Sequence, residues 1–105
     1  PLEHIRALLG GRGVGLVISD MAPNISGIDS VDQPRAMHLS ELAADLAAEV
    51  LEPGGSLLTK AFQGEGFDAW REGLRARYGR VKVIKPRASR ARSRELYVLA
   101  RDFKL

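Results

Sequence analysis

Cysteine is absent from this chain of 105 residues, which excludes a disulfide framework and thiolate metal sites alike. No stretch approaches the roughly 20 consecutive apolar residues of a membrane-spanning helix. The first residues lack the basic, apolar, small-residue order of a secretory signal. Cytoplasmic residence without membrane attachment is therefore the expectation. Internal repeats and low-complexity tracts are missing too. The two histidines, His4 and His38, have no partner pattern, and neither a metal nor a catalytic role is assigned to them.

Acids are missing from one region in particular. Between Arg80 and Arg94 stand Arg80, Lys82, Lys85, Arg87, Arg90, Arg92 and Arg94 without a single Asp or Glu. Residues 1–53 carry three Lys/Arg against eight Asp/Glu, whereas residues 54–105 carry thirteen against five. The modest net charge of +3 thus hides an acidic half and a basic half. The basic half, with Arg87, Arg90, Arg92 and Arg94 in one loop, is the expected contact surface for a polyanion.

A length of 105 residues, with 45% apolar and 28% charged residues, fits one ordinary globular domain over 1–105. Leu2, Ile5, Leu8 and Leu9 recur at helical spacing, and Gly10-Gly11 stops that helix. Val14 to Ile18 is a continuous apolar run, read as a strand buried on both faces. Asp32 and Pro34 signal a helix start. Ala36, Leu39, Leu42, Ala43, Leu46 and Val50 give that helix its apolar face until Pro53-Gly54-Gly55 ends it. Ser56 to Phe62 reads as a second strand, followed by a helix whose stripe is Phe67, Trp70 and Leu74. That spacing favours core packing over a platform for stacking bases. Val81 to Lys85 is a third strand, near a sheet edge on account of its lysines, and Glu95 to Ala100 a fourth. Strands alternating with helices imply an α/β fold with parallel crossovers. The last two strands, joined without a helix, are expected to be antiparallel.

Three ionisable residues stand where apolar runs begin or end. Asp20 closes Gly15 to Ser19, Lys60 lies within Leu57 to Phe62, and Glu95 opens Leu96 to Ala100. Ligands of open α/β sheets bind beyond the carboxyl ends of the parallel strands, so Asp20 and Lys60 would share a crevice if their strands are neighbours.

At these residues the chain resembles the bacterial FtsJ family of ribosomal RNA large-subunit 2'-O-methyltransferases. The resemblance rests on Ser19-Asp20-Met21-Ala22-Pro23-Asn24, Asp32-Gln33-Pro34-Arg35-Ala36-Met37, Leu51-Glu52-Pro53-Gly54-Gly55-Ser56, Lys60-Ala61-Phe62-Gln63-Gly64-Glu65-Gly66-Phe67 and Lys85-Pro86-Arg87-Ala88-Ser89-Arg90-Ala91-Arg92-Ser93-Arg94-Glu95. It implies the C-terminal part of a Rossmann-like methyltransferase sheet, with about four strands, the last antiparallel, and about three helices. It also implies S-adenosylmethionine as methyl donor, no metal, and a uridine ribose of 23S rRNA in the large ribosomal subunit as acceptor. The family's Lys-Asp-Lys-Glu tetrad has its last three members at Asp20, Lys60 and Glu95. Lys60 would act at the 2'-hydroxyl, Met21, Ala22 and Pro23 would join Asp20 along the methyl donor, and Glu95 would hold Lys60. The family's glycine-rich cofactor loop and first tetrad lysine belong upstream of Pro1. Gly10-Gly11-Arg12-Gly13 does not replace that loop, because it precedes a strand and does not open a helix.

The chain is accordingly read as part of a larger enzyme. Alone, it is expected to be inactive and to self-associate through the open strand at Val14 to Ile18. The alternative class is a non-catalytic RNA-binding module, which needs Arg87 to Arg94 but has no use for Lys60 beside Asp20. With two acids around it and one lysine only, Lys60 is expected to be held protonated.

Overall fold

A computed structural model of the chain describes residues 13–85 and 94–104. Four strands and two helices follow in the order β1 (Val14–Ser19), α1 (Asp29–Val50), β2 (Leu51–Phe62), α2 (Phe67–Arg77), β3 (Tyr78–Ile84) and β4 (Glu95–Phe103). The helix expected at Leu2 to Leu9 lies outside the described residues, as does the loop carrying Arg87, Arg90 and Arg92.

The sheet order is β1-β2-β4-β3. β1 and β2 are parallel, joined through α1, whereas β4 runs antiparallel to both β2 and β3. The lysine-bearing strand β3 is therefore an edge, and the last two strands are antiparallel, as their short connection implies.

Both helices pack on one face. Leu57, Thr59 and Ala61 of β2 and Leu96, Val98 and Ala100 of β4 are at most 1% exposed. They meet Met37, Ala44 and Ala47 of α1 and Phe67 and Leu74 of α2. Trp70 packs at the margin of this cluster, its ring 6.0 Å from that of Phe67, so the aromatic stripe is core. The opposite face contains Leu16 (53% exposed) and Ile18 (64%), which no described element covers. Among the described residues β1 is thus buried on one face and not on two.

Helix α1 corrects the expected apolar stripe. Its buried residues are Gln33, Ala36, Met37, Ser40, Ala43, Ala44, Ala47 and Val50, while Leu42 and Leu46 face outward. At 100° per residue the alanines and Ser40 fall on one line, and Leu42 and Leu46 lie well round the cylinder from it. Ser40 is tolerated there because its hydroxyl donates to the Ala36 carbonyl at 3.2 Å.

The helix also begins earlier than Asp32. Its N-cap is Ile28, with no side-chain cap, and Pro34 lies inside it. Asp32 serves the preceding loop instead. Its Oδ1 accepts from the Ser26 amide (2.9 Å) and hydroxyl (2.7 Å), and its Oδ2 from the Gly27 amide (3.0 Å).

At its other end α1 passes into β2 at Leu51, ahead of Pro53-Gly54-Gly55. These residues form an irregularity inside the strand, because Val14 pairs with Leu51 but Leu16 with Ser56. Gly54 makes the bulge possible with a φ of +85°. β3 and β4 likewise extend beyond the expected runs, to Tyr78 and Phe103, whose rings meet at 5.2 Å.

Candidate active site

Strand register assembles the three ionisable residues. Ser19 pairs with Thr59 in the parallel ladder, so Asp20 emerges beside Lys60 at the carboxyl ends of two neighbouring strands. β4 runs the other way, which brings its first residues to that same end, with Phe62 opposite Glu95 and Lys60 opposite Tyr97. Successive residues of a strand alternate faces, so Lys60, Glu95 and Tyr97 share one side, and Thr59 and Ala61 point into the core.

The Lys60 ammonium is 2.9 Å from Asp20 Oδ1 and 3.5 Å from Glu95 Oε1. The Tyr97 hydroxyl donates to the same Asp20 oxygen at 3.1 Å. The Lys60 side chain is only 14% exposed, whereas those of Asp20 and Glu95 are 66% and 39% exposed. The Lys60 stem is thereby mostly buried, and its ammonium reaches two more exposed carboxylates at the strand ends.

Asp20, Lys60 and Tyr97 shift one another's proton affinities. Lys60 is held above its ordinary pKa, first by its hydrogen bond to Asp20 and further by the charge of Glu95, against the opposing effect of burial. Asp20 is held below the usual carboxylate value by Lys60 and then by Tyr97. Tyr97 is pushed up, chiefly by its hydrogen bond to Asp20. The expectation of a protonated Lys60 agrees with this arrangement. Tyr97 was not singled out from the sequence, where it reads as one more apolar residue of a strand. Its only signal is the spacing of two from Glu95, which puts both on one face.

The turn after β2 is fixed from α1. The buried Gln33 side-chain amide donates to the carbonyls of Phe62 (3.3 Å) and Glu65 (3.1 Å). The Gln63 amide donates to the Arg94 carbonyl at 2.8 Å, tying the start of β4 to the same turn. Met21 and Ala22 are exposed next to Asp20, and Pro23 is half-buried. Arg94 is exposed at the mouth of β4, and Arg87, Arg90 and Arg92 lie outside the described residues.

Comparison with known proteins gives the family of the chain. The sequence profile of the family described as FtsJ-like methyltransferase matches residues 1–103. The chain is 59% identical over 105 residues to ribosomal RNA large subunit methyltransferase E of Alkalilimnicola ehrlichii, covering all of this chain and 50% of that protein. It is 59% identical over 102 residues to the protein of that name from Chromohalobacter salexigens, and 57% identical over 101 residues to that from Pseudomonas aeruginosa. These matches cover 97% and 96% of this chain and 49% of each relative, so the chain spans about half the length of the relatives it matches. In fold it is similar to a crystal structure described as a ribosomal RNA methyltransferase from Plasmodium falciparum, with a TM-score of 0.84 at 19% identity. That superposition covers 96% of this chain and 53% of the other.

Proposed function

The chain belongs to the FtsJ-like methyltransferase family, and from that premise we propose that it supplies the acceptor side of an enzyme methylating a uridine ribose 2'-hydroxyl in 23S rRNA of the large ribosomal subunit. One observation carries the reading: Asp20, Lys60 and Glu95 meet within 2.9 and 3.5 Å at neighbouring strand ends. A non-catalytic RNA binder has no use for an ammonium held there. Residues 1–105 are read as one domain, supported by the single core shared by both helices and the sheet. Cytoplasmic residence fits a ribosomal RNA substrate, and no described helix is long and apolar enough to cross a membrane.

S-adenosylmethionine, when bound, supplies a methyl group on a sulfonium that is its own leaving group. The residues here suit such a cation. Asp20 Oδ1 takes both Lys60 and Tyr97, and among the described residues no hydrogen bond engages Oδ2. That second oxygen, beside the exposed Met21 and Ala22 and the half-buried Pro23, is open to a positively charged partner.

Lys60 acts on the acceptor. As an ammonium it donates a hydrogen bond to the 2'-oxygen and fixes its orientation for in-line attack, and once it has released that proton to solvent its Nζ takes the hydroxyl proton as the oxygen attacks. Glu95 and Asp20 hold that ammonium in place. Any further cation drawn to Asp20 weakens the hold, lowers the proton affinity of Lys60 and brings it closer to accepting the hydroxyl proton. Arg94, with Arg87, Arg90 and Arg92, is assigned to RNA phosphates, supported by a run of basic residues without an acid.

The reading is tested by Lys60→Ala in the whole protein. Methyl transfer should fall at least about a hundredfold, the lower range for loss of a general acid–base group, while RNA still binds. Turnover close to wild type would remove Lys60 from the chemistry.

A further inference from the structure

A second feature lies just beyond Asp20. The 22–24 segment and the first turns of α1 enclose an open groove of about 570 Å³, within the size range of small-ligand sites. Pro23, Pro34 and Leu39 form its apolar wall, and Asn24, Arg35 and His38 stand exposed around it. Arg35 and His38 are three apart on α1 and so occupy one face of the helix.

We infer that this groove seats a nucleotide of the RNA strand adjoining the acceptor ribose, its phosphate against Arg35 and His38 and its base against Pro23, Pro34 and Leu39. The inference rests on the RNA reading proposed above and adds a location and a set of contacts to it. The lining of the groove begins at Ala22, two residues after Asp20, which sets it beside the place proposed for the acceptor ribose. Among the described residues Arg35 has no carboxylate within ion-pair distance. The nearest acid on its helix face, Asp32, attracts the Arg35 charge from beyond ion-pair distance, its oxygens being bonded to Ser26 and Gly27. Those same bonds tie Ser26 and Gly27 to α1, just beyond the 22–24 wall of the groove. Asn24 offers both a donor and an acceptor to a base edge.

The Arg35 guanidinium on the rim argues against the methyl donor as occupant. S-adenosylmethionine carries a sulfonium and an ammonium against one carboxylate, whereas each nucleotide brings an anionic phosphate and a flat apolar face. Stacking and phosphate contact together are the usual means of holding single-stranded RNA.

The test uses the whole protein, a short fluorescein-labelled RNA containing the target uridine, and anisotropy titrations over a range of salt. The double variant R35A/H38A should bind about tenfold more weakly, as loss of one stacked or phosphate contact predicts. Its log–log salt slope should flatten by about 0.7 for each phosphate contact removed. The methylation KM for RNA should rise with kcat unchanged, S-adenosylmethionine binding should stay at its wild-type strength by calorimetry, and R35K should recover most of the RNA affinity. Unchanged RNA affinity and slope in the double variant would overturn the inference. So would loss of S-adenosylmethionine binding with RNA binding intact. The two readings fail separately: a wild-type protein that binds this RNA through Arg35 but transfers no methyl would sink the proposed reaction and keep the groove, and one that binds no RNA would sink both.

Discussion

Asp20 and Lys60 shift one another's proton affinities in opposite directions, and their joint contribution to stability has a definite pH window. Asp20 titrates below its unfolded value of 3.8, so its contribution is present above that value and disappears as pH falls through the lower folded pKa. Lys60 titrates above 10.5, so its contribution is present below that value and disappears as pH rises through the higher folded pKa. The pair is intact across the neutral range. Asp20→Asn removes the largest cause of the Lys60 shift, and the Lys60 pKa should fall, as followed by nitrogen NMR of its ammonium. An unmoved titration would mean that Glu95 alone holds the charge. Each acid and base of this cluster was legible in the sequence as a charge interrupting an apolar run. Tyr97 was not, because a tyrosine in a strand carries no such anomaly; only the register, which sets it opposite Lys60, brings its hydroxyl to Asp20.

Among the elements, strand and helix types were legible and their ends were not. Apolar runs marked β1, β2 and β4, but Pro53-Gly54-Gly55 proved to be a bulge within β2, since glycine and proline interrupt a ladder as readily as they end a helix. Leu42 and Leu46 looked like core by hydrophobicity and lie outside it, because alanines let α1 approach the sheet closely. The turn between β2 and α2 shows how an element end positions chemistry. Gly64 has a φ of +145°, and a Cβ there would lie 2.7 Å from the Gln33 amide carbon. Gly64→Ala should therefore destabilise the protein by about 1–3 kcal/mol through backbone strain and displacement of Gln33. Thermal denaturation checks this, and an unchanged Tm would show that the turn relaxes without cost.

At the scale of the whole molecule, the α/β class, the parallel β1–β2 pair and the antiparallel end of the sheet followed from the order of elements. The uneven burial of β1 did not, because an apolar run reads alike whether one face or both are covered. In the described sheet β1 is an edge with Leu16 and Ile18 exposed, a surface suited to pairing with a second copy of the chain. We expect residues 1–105 by themselves to self-associate there, and Ile18→Lys to shift the population toward monomer in light scattering. Ile18 is the better probe than Val17, which packs against the core, where a charge would cost stability for a different reason. Equal association by the variant would place the contact elsewhere.

In the reaction we propose, Lys60, gripped by Asp20 and Glu95, acts on the RNA ribose. Single-turnover transfer of a labelled methyl group to large-subunit RNA, with wild type and Lys60→Ala compared at saturating RNA and methyl donor, tests it most directly. The rate should be at least about a hundredfold lower in the variant, with the RNA dissociation constant essentially unchanged. A variant that transfers methyl at the wild-type rate, or that loses activity only because RNA no longer binds, would contradict it.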